Sequence, residues 1–516
     1  MTNGESVPRE TAGEAATAEG TSSRARRLGL WLLVLLWAVL AAWICHRLAG
    51  KALDDFFITY RYAANLAAGQ GFTYNPGEKV FGTTEPGVAL LLALLTVLTR
   101  VAIPTLGTFV TGGSLLGIAA LLLLEAGERG RRAEAAAGGT LLLVSTFLWV
   151  CHGAGAFPTL LCLMLAARLG DRRPEVAGLL AGLAVWMRPD AAVGVGLLGL
   201  LLWAERRRLP WRYGLSAAAV LLAGAWGARH FLGSLLPNTL AAKRIMGAAF
   251  NRGGAPQGFW SPIYALLERH EGPYWLLLAG FAAAGLVPLV LGMGRAGRLL
   301  ALSGAALAVL YPVLKVPLYP WYALPVVITG LYGVAYFAGG VARGLARLAG
   351  QRWLAVALFA LLLAPAAVSI LPTGWRWLRG FDWAPYLKTY QQAGLYIHQR
   401  SQPADDIAYI EIGVLGYYSR QPFFDLLGLV SPDILPYVAK RDLPGAFLTR
   451  PTAWVIYYSG GRMGRILDRR WFWNAYEDVA HFKDEDGGGE LTVFRRKPGA
   501  ALPEAPPPGV GGWNRR

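Results

Sequence analysis

Charge is scarce in this chain. Only 16% of its 516 residues are charged while 55% are hydrophobic, against about a quarter charged in soluble domains, and that balance excludes an ordinary water-soluble globule. Cysteine is scarce too. The three present, Cys45, Cys151 and Cys162, lie in or beside apolar runs with spacings that suit neither a zinc site nor a disulfide framework, and they read as small membrane-embedded thiols. Residues 1–23 have no apolar h-region. They read as a disordered cytoplasmic tail, extended to residue 27, ahead of a retained signal anchor that begins at Leu28.

What the chain has in abundance is long apolar runs, at residues 28–45, 106–124, 135–150, 213–228, 274–293, 299–314, 321–337 and 353–371. Most approach the ~20 residues that cross a hydrocarbon core, or the ~17 lower limit, and with the shorter runs they predict a polytopic α-helical membrane protein of about 11 spans. The stretch 88–124, interrupted at Pro104, is counted as one full crossing and one partial or interfacial segment. Two full crossings there would put the basic loop RGRR (129–132) outside, the alternative being that the positive-inside rule fails at this loop.

A net charge of +17 raises the question of a polyanionic partner. The basic residues, however, are concentrated in short loops between apolar runs, as in RARR at 24–27, RGRR at 129–132 and ERRR at 205–208. That is the positive-inside pattern, and it argues for a bilayer and against nucleic acid. With the amino terminus inside, the loop after the first span and the Arg188-Pro189-Asp190 turn fall outside, on the outer face of the cytoplasmic (inner) membrane.

The chain divides into a membrane domain at 28–372, containing a first outer loop at 46–86, and a region at 373–498 with a globular mix of charges, aromatics and turns. In the latter, DDIAYIEIGVLGYYS reads as a strand, a glycine turn and a further apolar segment, while AWVIYYS and ELTVFRRK read as strands. It is expected to be an extracytoplasmic α/β domain, followed at 499–516 by a Pro/Gly-rich tail.

The first outer loop carries the chemistry. It opens on two adjacent carboxylates, Asp54 and Asp55, and runs on as a helix with Phe56, Tyr60, Ala63 and Ala67 on one side and Arg61 and Asn65 on another. This spacing predicts an amphipathic helix on the outer membrane surface. An Asp ahead of a helix is often only an N-cap. A carboxylate in a half-dehydrated setting can also act as general base toward a sugar hydroxyl, and a second one can orient the acceptor or hold a divalent cation such as Mg or Mn. A lipid-linked donor needs cations for its phosphate, and Arg61, Arg188, Lys243, Arg244 and Lys315 are the outward-facing choices.

The segment DDFFITYRYAANLAAGQGFTYNPGEKVFGTTEP at 54–86 resembles the first outer loop of GT-C glycosyltransferases, in particular those similar to the terminal arabinofuranosyltransferase of arabinogalactan assembly. The likeness continues through MRPD at 187–190, LPNTLAAK at 236–243, PWYALP at 320–325 and GVLGYYSRQPFFDLLGLVSPDI at 413–434. It implies a GT-C fold and an inverting transfer from a polyprenyl-phosphate sugar to a glycan, glycolipid or protein acceptor. Asp54 or Asp55 would be the base and Arg61, Arg188, Asn238 and Lys243 would lie near the donor. Glu85, Asp190, Tyr319, Trp321, Tyr322 and Asp425 would support the site or bind acceptor. Two positions depart from the pattern: Phe157 stands where an acidic residue is common, and Glu85 where a neutral one is usual. A transporter of lipid-linked sugar and a non-catalytic envelope-assembly protein are the competing readings, and a polyprenyl-phosphate-mannose-dependent enzyme of the same fold is the nearest rival.

Overall fold

The computed structural model describes residues 9–250, 260–313 and 319–508; Lys315 lies outside them. Helix α1 (Arg9–Leu48) begins well inside the stretch expected to be a disordered tail. Then follow α2 (Asp54–Ala67), α3 (Pro86–Thr99), α4 (Ile103–Glu128), α5 (Arg132–Val144), α6 (Thr146–Val150), α7 (Ala156–Leu169), α8 (Pro174–Met187), α9 (Ala191–Arg206), α10 (Trp211–Phe231), α11 (Asn238–Phe250) and α12 (Ser261–Glu271). The long helices α13 (Trp275–Gly292), α14 (Arg295–Val313), α15 (Leu324–Leu348) and α16 (Arg352–Arg379) complete the membrane domain.

Among the described residues, six helices are long and apolar enough to cross a membrane: α1 from Leu28, α4, and α13 to α16. The other expected crossings fall on shorter helices or, for the run 213–228, on the 21-residue α10. Of these α3, with 14 residues, rises only ~21 Å, short of a full crossing, whereas α4 beside Pro104 is long and apolar enough for one. Pro86 in the first turn of α3 and Pro104 in that of α4 start these helices where a missing N–H costs nothing. The apolar run 135–150 breaks at Ser145, whose hydroxyl donates to Glu271 Oε1 at 2.6 Å while the Phe147 N–H donates to the same atom at 3.0 Å. A buried carboxylate thus caps the interruption between α5 and α6. Helices α13 and α15 approach so closely that a Cβ on Gly285 would collide with the Gly333 backbone, the small-residue contact by which helices pack without a hydrophobic driving force.

Helix α16 runs through Pro365 and Pro372 to Arg379, seven residues past the expected domain boundary. Beyond it, α17 (Pro385–Arg400), α18 (Val414–Ser419) and strands β1 (Ile407–Tyr409), β2 (Phe423–Asp425), β3 (Trp454–Tyr458), β4 (Tyr476–Lys483) and β5 (Glu490–Arg496) form the C-terminal domain. Its five-stranded sheet has the order β2-β1-β3-β5-β4. β1 is parallel to β2 and β3, and β5 is antiparallel to β3 and β4. The domain is α/β, as expected, with expected strands at β1, β3 and β5. Residues 499–508 carry no regular element, although Tyr437 donates to Pro506 O at 2.9 Å.

The C-terminal domain sits directly on α2. That overturns the expectation of an amphipathic surface helix: Asp54 and every residue from Phe56 to Ala63 are buried. The apolar side meets the helix bundle, and the polar side is covered by protein instead of water. Arg61 shows how. Its guanidinium donates to Tyr74 O at 2.8 Å, Gly416 O at 2.5 Å and Gln421 O at 2.6 Å, so it pins the loop after α2 and two turns of the C-terminal domain to one helix.

Candidate functional site

The two adjacent carboxylates have different surroundings. Both lie in the first turn of α2 after Leu53, where the unpaired N–H groups favour negative charge, and neither caps it through its side chain. Asp54 is buried. Its carboxylate accepts the Val414 N–H at 2.7 Å and the Gly413 N–H at 3.2 Å at the start of α18. Burial pushes its pKa up to about 7, the Val414 N–H working against this and the Asp55 charge adding to it. Asp55 is turned the other way and keeps about a third of its side chain exposed, with Lys243 Nζ 4.0 Å from Oδ2.

Asp55 opens onto a narrow cleft of about 40 Å³, shared with Thr59, Thr83, Glu85, Thr239, Lys243 and Trp321. Aromatic rings wall it. Lys243 Nζ lies 4.4 Å from the centre of the Tyr319 ring, Tyr319 stacks on Trp321 at 4.8 Å, and Trp321 meets Phe56 edge-on at 5.2 Å. Burial acts to lower the Lys243 pKa, but Tyr322, Asp55 and Tyr319 outweigh it and the ammonium is held above its ordinary range.

Beside the cleft lies a buried ion cluster. Arg188 donates from Nη2 to Asp190 Oδ2 at 2.7 Å, from Nε to Asp190 Oδ1 at 3.1 Å, and from Nη1 to Glu85 Oε1 at 3.1 Å. Tyr311 donates to Asp190 Oδ2 at 2.5 Å, and Tyr322 lies under the guanidinium at 5.4 Å. Burial would raise the Asp190 carboxyl, but Arg188 outweighs it and the group is held below its usual range. For Glu85 burial wins over Arg188, and its pKa is raised. The guanidinium is thus buried between two carboxylates and a tyrosine ring, beside the cleft and not in its wall.

The structure thus gathers Asp55, Glu85, Arg188, Asp190, Lys243, Tyr319, Trp321 and Tyr322. Four other expected residues are held away from this group. Asp54 and Arg61 are committed to the C-terminal domain, as above, and Asn238 donates to Gly428 O at 2.7 Å and Leu429 O at 2.8 Å. Asp425 is buried and accepts the Leu427 N–H at 2.8 Å and the Val430 N–H at 3.0 Å. Those last two shape the loop whose Leu429 lines the cleft. Arg244 is exposed on α11 beside Lys243. The acid expected near position 157 has a spatial substitute, because the Gly155 N–H at the start of α7 donates to Glu85 Oε1 at 3.2 Å while Phe157 is fully buried.

Tyr311, bonded to Asp190, escaped the sequence reading, and so did two further residues. Thr239, beside Asn238, has a buried hydroxyl in the cleft wall that finds no hydrogen-bond partner among the described residues. Glu411 faces Asp54 and Asp55 from the C-terminal domain, and burial first, then those two charges, pushes it up to about 8. The acid was visible in IAYIEIG, but only the folded domain brings it to α2. Among the described residues no three His, Cys, Asp or Glu side chains are arranged to hold a metal ion. With Asp54 occupied by backbone N–H groups, the adjacent pair does not fit the Mg or Mn site considered for it.

Residues 381–496 match a family described as "Domain of unknown function (DUF8728)". A search of curated proteins returns no match. Among solved structures, ArnT from Cupriavidus metallidurans in the apo state is similar at a TM-score of 0.58 and 14% identity, over 91% of this chain and 99% of that one. The same protein bound to undecaprenyl phosphate gives 0.54 at 14% identity over the same shares. The Archaeoglobus fulgidus oligosaccharyltransferase, in a complex with Zn and sulfate, gives 0.50 at 12% identity, over 82% of this chain and 67% of that one. The fold is the GT-C fold: a multi-pass helical membrane domain carrying a C-terminal sheet domain.

Proposed function

We propose that the protein is an inverting glycosyltransferase that moves a pentose or hexose from a polyprenyl-phosphate donor to an envelope glycan, lipid or protein acceptor. The positive-inside loops support an active site and C-terminal domain on the outer face of the cytoplasmic membrane. The observation that carries the reading is the division of labour in the acid pair. Asp54 is a fastening, while Asp55 is a carboxylate open to a cleft in which Lys243 supplies positive charge. ArnT, of the same fold, is known bound to undecaprenyl phosphate, which supports a lipid phosphate as the donor's leaving group.

Asp55 takes the proton of the acceptor hydroxyl as that oxygen attacks the anomeric carbon from the face opposite the phosphate. The bond from the anomeric carbon to the phosphate oxygen breaks, and the polyprenyl phosphate leaves with the electron pair. Lys243, paired with Asp55 in the free enzyme, turns toward this phosphate. That exchange frees Asp55 to act as base when donor is bound. Glu85 and Asp190 hold the guanidinium in place, and Tyr319, Trp321 and Tyr322 offer ring faces to the sugar. The pentose and hexose readings, arabinofuranosyl and mannosyl, differ in pocket shape alone.

The test is transfer of radiolabelled sugar from a panel of polyprenyl-phosphate donors by the purified protein and its Asp55→Asn variant at matched expression. Transfer by the wild type that collapses in the variant is expected. Equal transfer by both removes Asp55 as the base, and absence of transfer with every donor overturns the enzymatic reading.

A further inference from the structure

A second cleft opens on the far side of α2. Asp55, Phe56, Ile58 and Thr59 face the candidate active site, whereas Arg61, Ala64, Asn65 and Ala68 face a cavity of about 590 Å³ between α2, the start of α4 and the C-terminal domain. At 3.6 residues per turn the two sets point in roughly opposite directions, so an acceptor hydroxyl held in this cavity is not presented to Asp55. Gly50 and Pro104 form part of its wall, just where α1 ends and α4 begins. The cavity therefore lies at the membrane face, on the side of the C-terminal domain.

Its lining mixes small and apolar residues with polar, aromatic and basic ones, and among the described residues it includes no Asp or Glu. Tyr417 and Tyr418 supply two rings 5.1 Å apart. His398 Nδ1 bonds Ser419 O at 3.2 Å. A carbonyl only accepts, so Nδ1 carries a proton and Nε2 is left as acceptor, or as a second donor in the imidazolium form. Arg420 ends α18 with φ of 56°, a left-handed conformation that disfavours any side chain with a Cβ, in the place where glycine is the common choice. Its guanidinium is exposed, and among the described residues no carboxylate pairs with it. Arg61 adds fixed positive charge to the wall although its donors are committed.

We propose that this cleft binds an anionic saccharide, a sugar bearing a phosphate or carboxylate, with Arg420 and His398 on the anion and Tyr417 and Tyr418 against the ring. The sugar can come from a lipid headgroup in the adjacent leaflet or from soluble glycan. The full chain is placed in phosphatidylcholine nanodiscs, and retention of radiolabelled glucose 6-phosphate and of glucose is measured by equilibrium dialysis. Glucose 6-phosphate is expected to bind and glucose to bind at least tenfold more weakly. Arg420→Gly should weaken glucose 6-phosphate binding about tenfold or more. It removes the guanidinium at a backbone position glycine adopts more readily, so an unchanged melting temperature separates loss of binding from loss of fold. Lys243→Ala, in the other cleft, should leave this binding intact. Competition by phosphatidylglycerol in the disc, lost in Arg420→Gly, would identify a lipid headgroup as the source; no competition would identify soluble glycan. Binding unaffected by Arg420→Gly, binding abolished by Lys243→Ala, equal retention of glucose, or no retention of glucose 6-phosphate each overturns the proposal.

Discussion

Asp54 accepts the backbone N–H of Val414 at 2.7 Å, a bond between residues 360 positions apart that fastens the C-terminal domain to the first loop of the membrane domain. Its neighbour Asp55 makes no such bond among the described residues and faces Lys243 instead. Replacing either acid therefore has a different consequence. Asp54→Ala should loosen the junction, lowering the melting temperature and raising hydrogen exchange at 411–420, at a cost of about 1–3 kcal/mol for the orphaned N–H groups. Asp55→Asn should leave both unchanged and lower the turnover rate roughly 10²–10⁴-fold, the range for loss of a general base. Equal effects of the two changes on stability would dissolve the distinction.

The same junction should respond to pH in a direction set by the raised carboxyls. Asp54 is pushed up to about 7 and Glu411 to about 8 from ordinary values near 4. Between those limits the folded state binds more protons than the unfolded one, so stability falls as pH rises. The contribution is fully present below the unfolded value and gone above about pH 8. Melting temperatures between pH 5 and pH 8.5 should decline, and Asp54→Asn, uncharged at every pH, should flatten the slope. A wild-type curve that rises across this window contradicts the assignment.

Gly413 offers a steric check on the same contact. A Cβ there would run into the Asp54 main-chain oxygen, so Gly413→Ala should reproduce the loosened junction of Asp54→Ala without removing any polar group. Hydrogen exchange at 411–420 as slow as in wild type would show that the contact tolerates a shift.

Much of the cleft was legible in the sequence, and the reason is local. The DD pair, the RPD turn and the YPWY segment bring chemistry-bearing side chains at fixed short spacings, and each stretch keeps its groups together when the chain folds. What was not legible depended on distant partners. Arg61 and Asn65 have the spacing of a solvated helix face, yet the Arg61 face is covered by turns more than 350 residues away. Ser145 gives no break signal within an apolar run, because the group that caps the break is Glu271, 126 residues later. β4 went unread for a different reason: most of its residues are exposed, so it lacks the alternation that marks a half-buried strand.

Lys243 is the cation best placed to meet a donor phosphate, being held charged between Asp55 and the Tyr319 ring. Lys243→Met keeps much of the apolar stem and removes the charge. It should raise KM for the lipid donor by about tenfold or more, and the acceptor KM should change little. Lys243→Arg should recover part of the donor affinity. If the acceptor KM shifts and the donor KM does not, Lys243 belongs to the acceptor side of the cleft.

Arg188 presents the hardest substitution to tolerate. Its side chain is buried against two carboxylates, Glu85 at 3.1 Å and Asp190 at 2.7 Å. Arg188→Met strands both, and the cost of breaking such a pair is about 3–5 kcal/mol. Glu85→Gln is far milder: an amide oxygen can still accept from Arg188 and from the Gly155 N–H, and Asp190 still balances the guanidinium, so about 1 kcal/mol is expected. The double variant Glu85→Gln with Arg188→Met should be more stable than Arg188→Met alone, because one of the two stranded charges is gone. Unfolding midpoints of the four proteins in detergent close this cycle. Simple additivity of the two changes would mean that Glu85 and Arg188 do not interact, and that the buried pair is not what holds the guanidinium at the cleft.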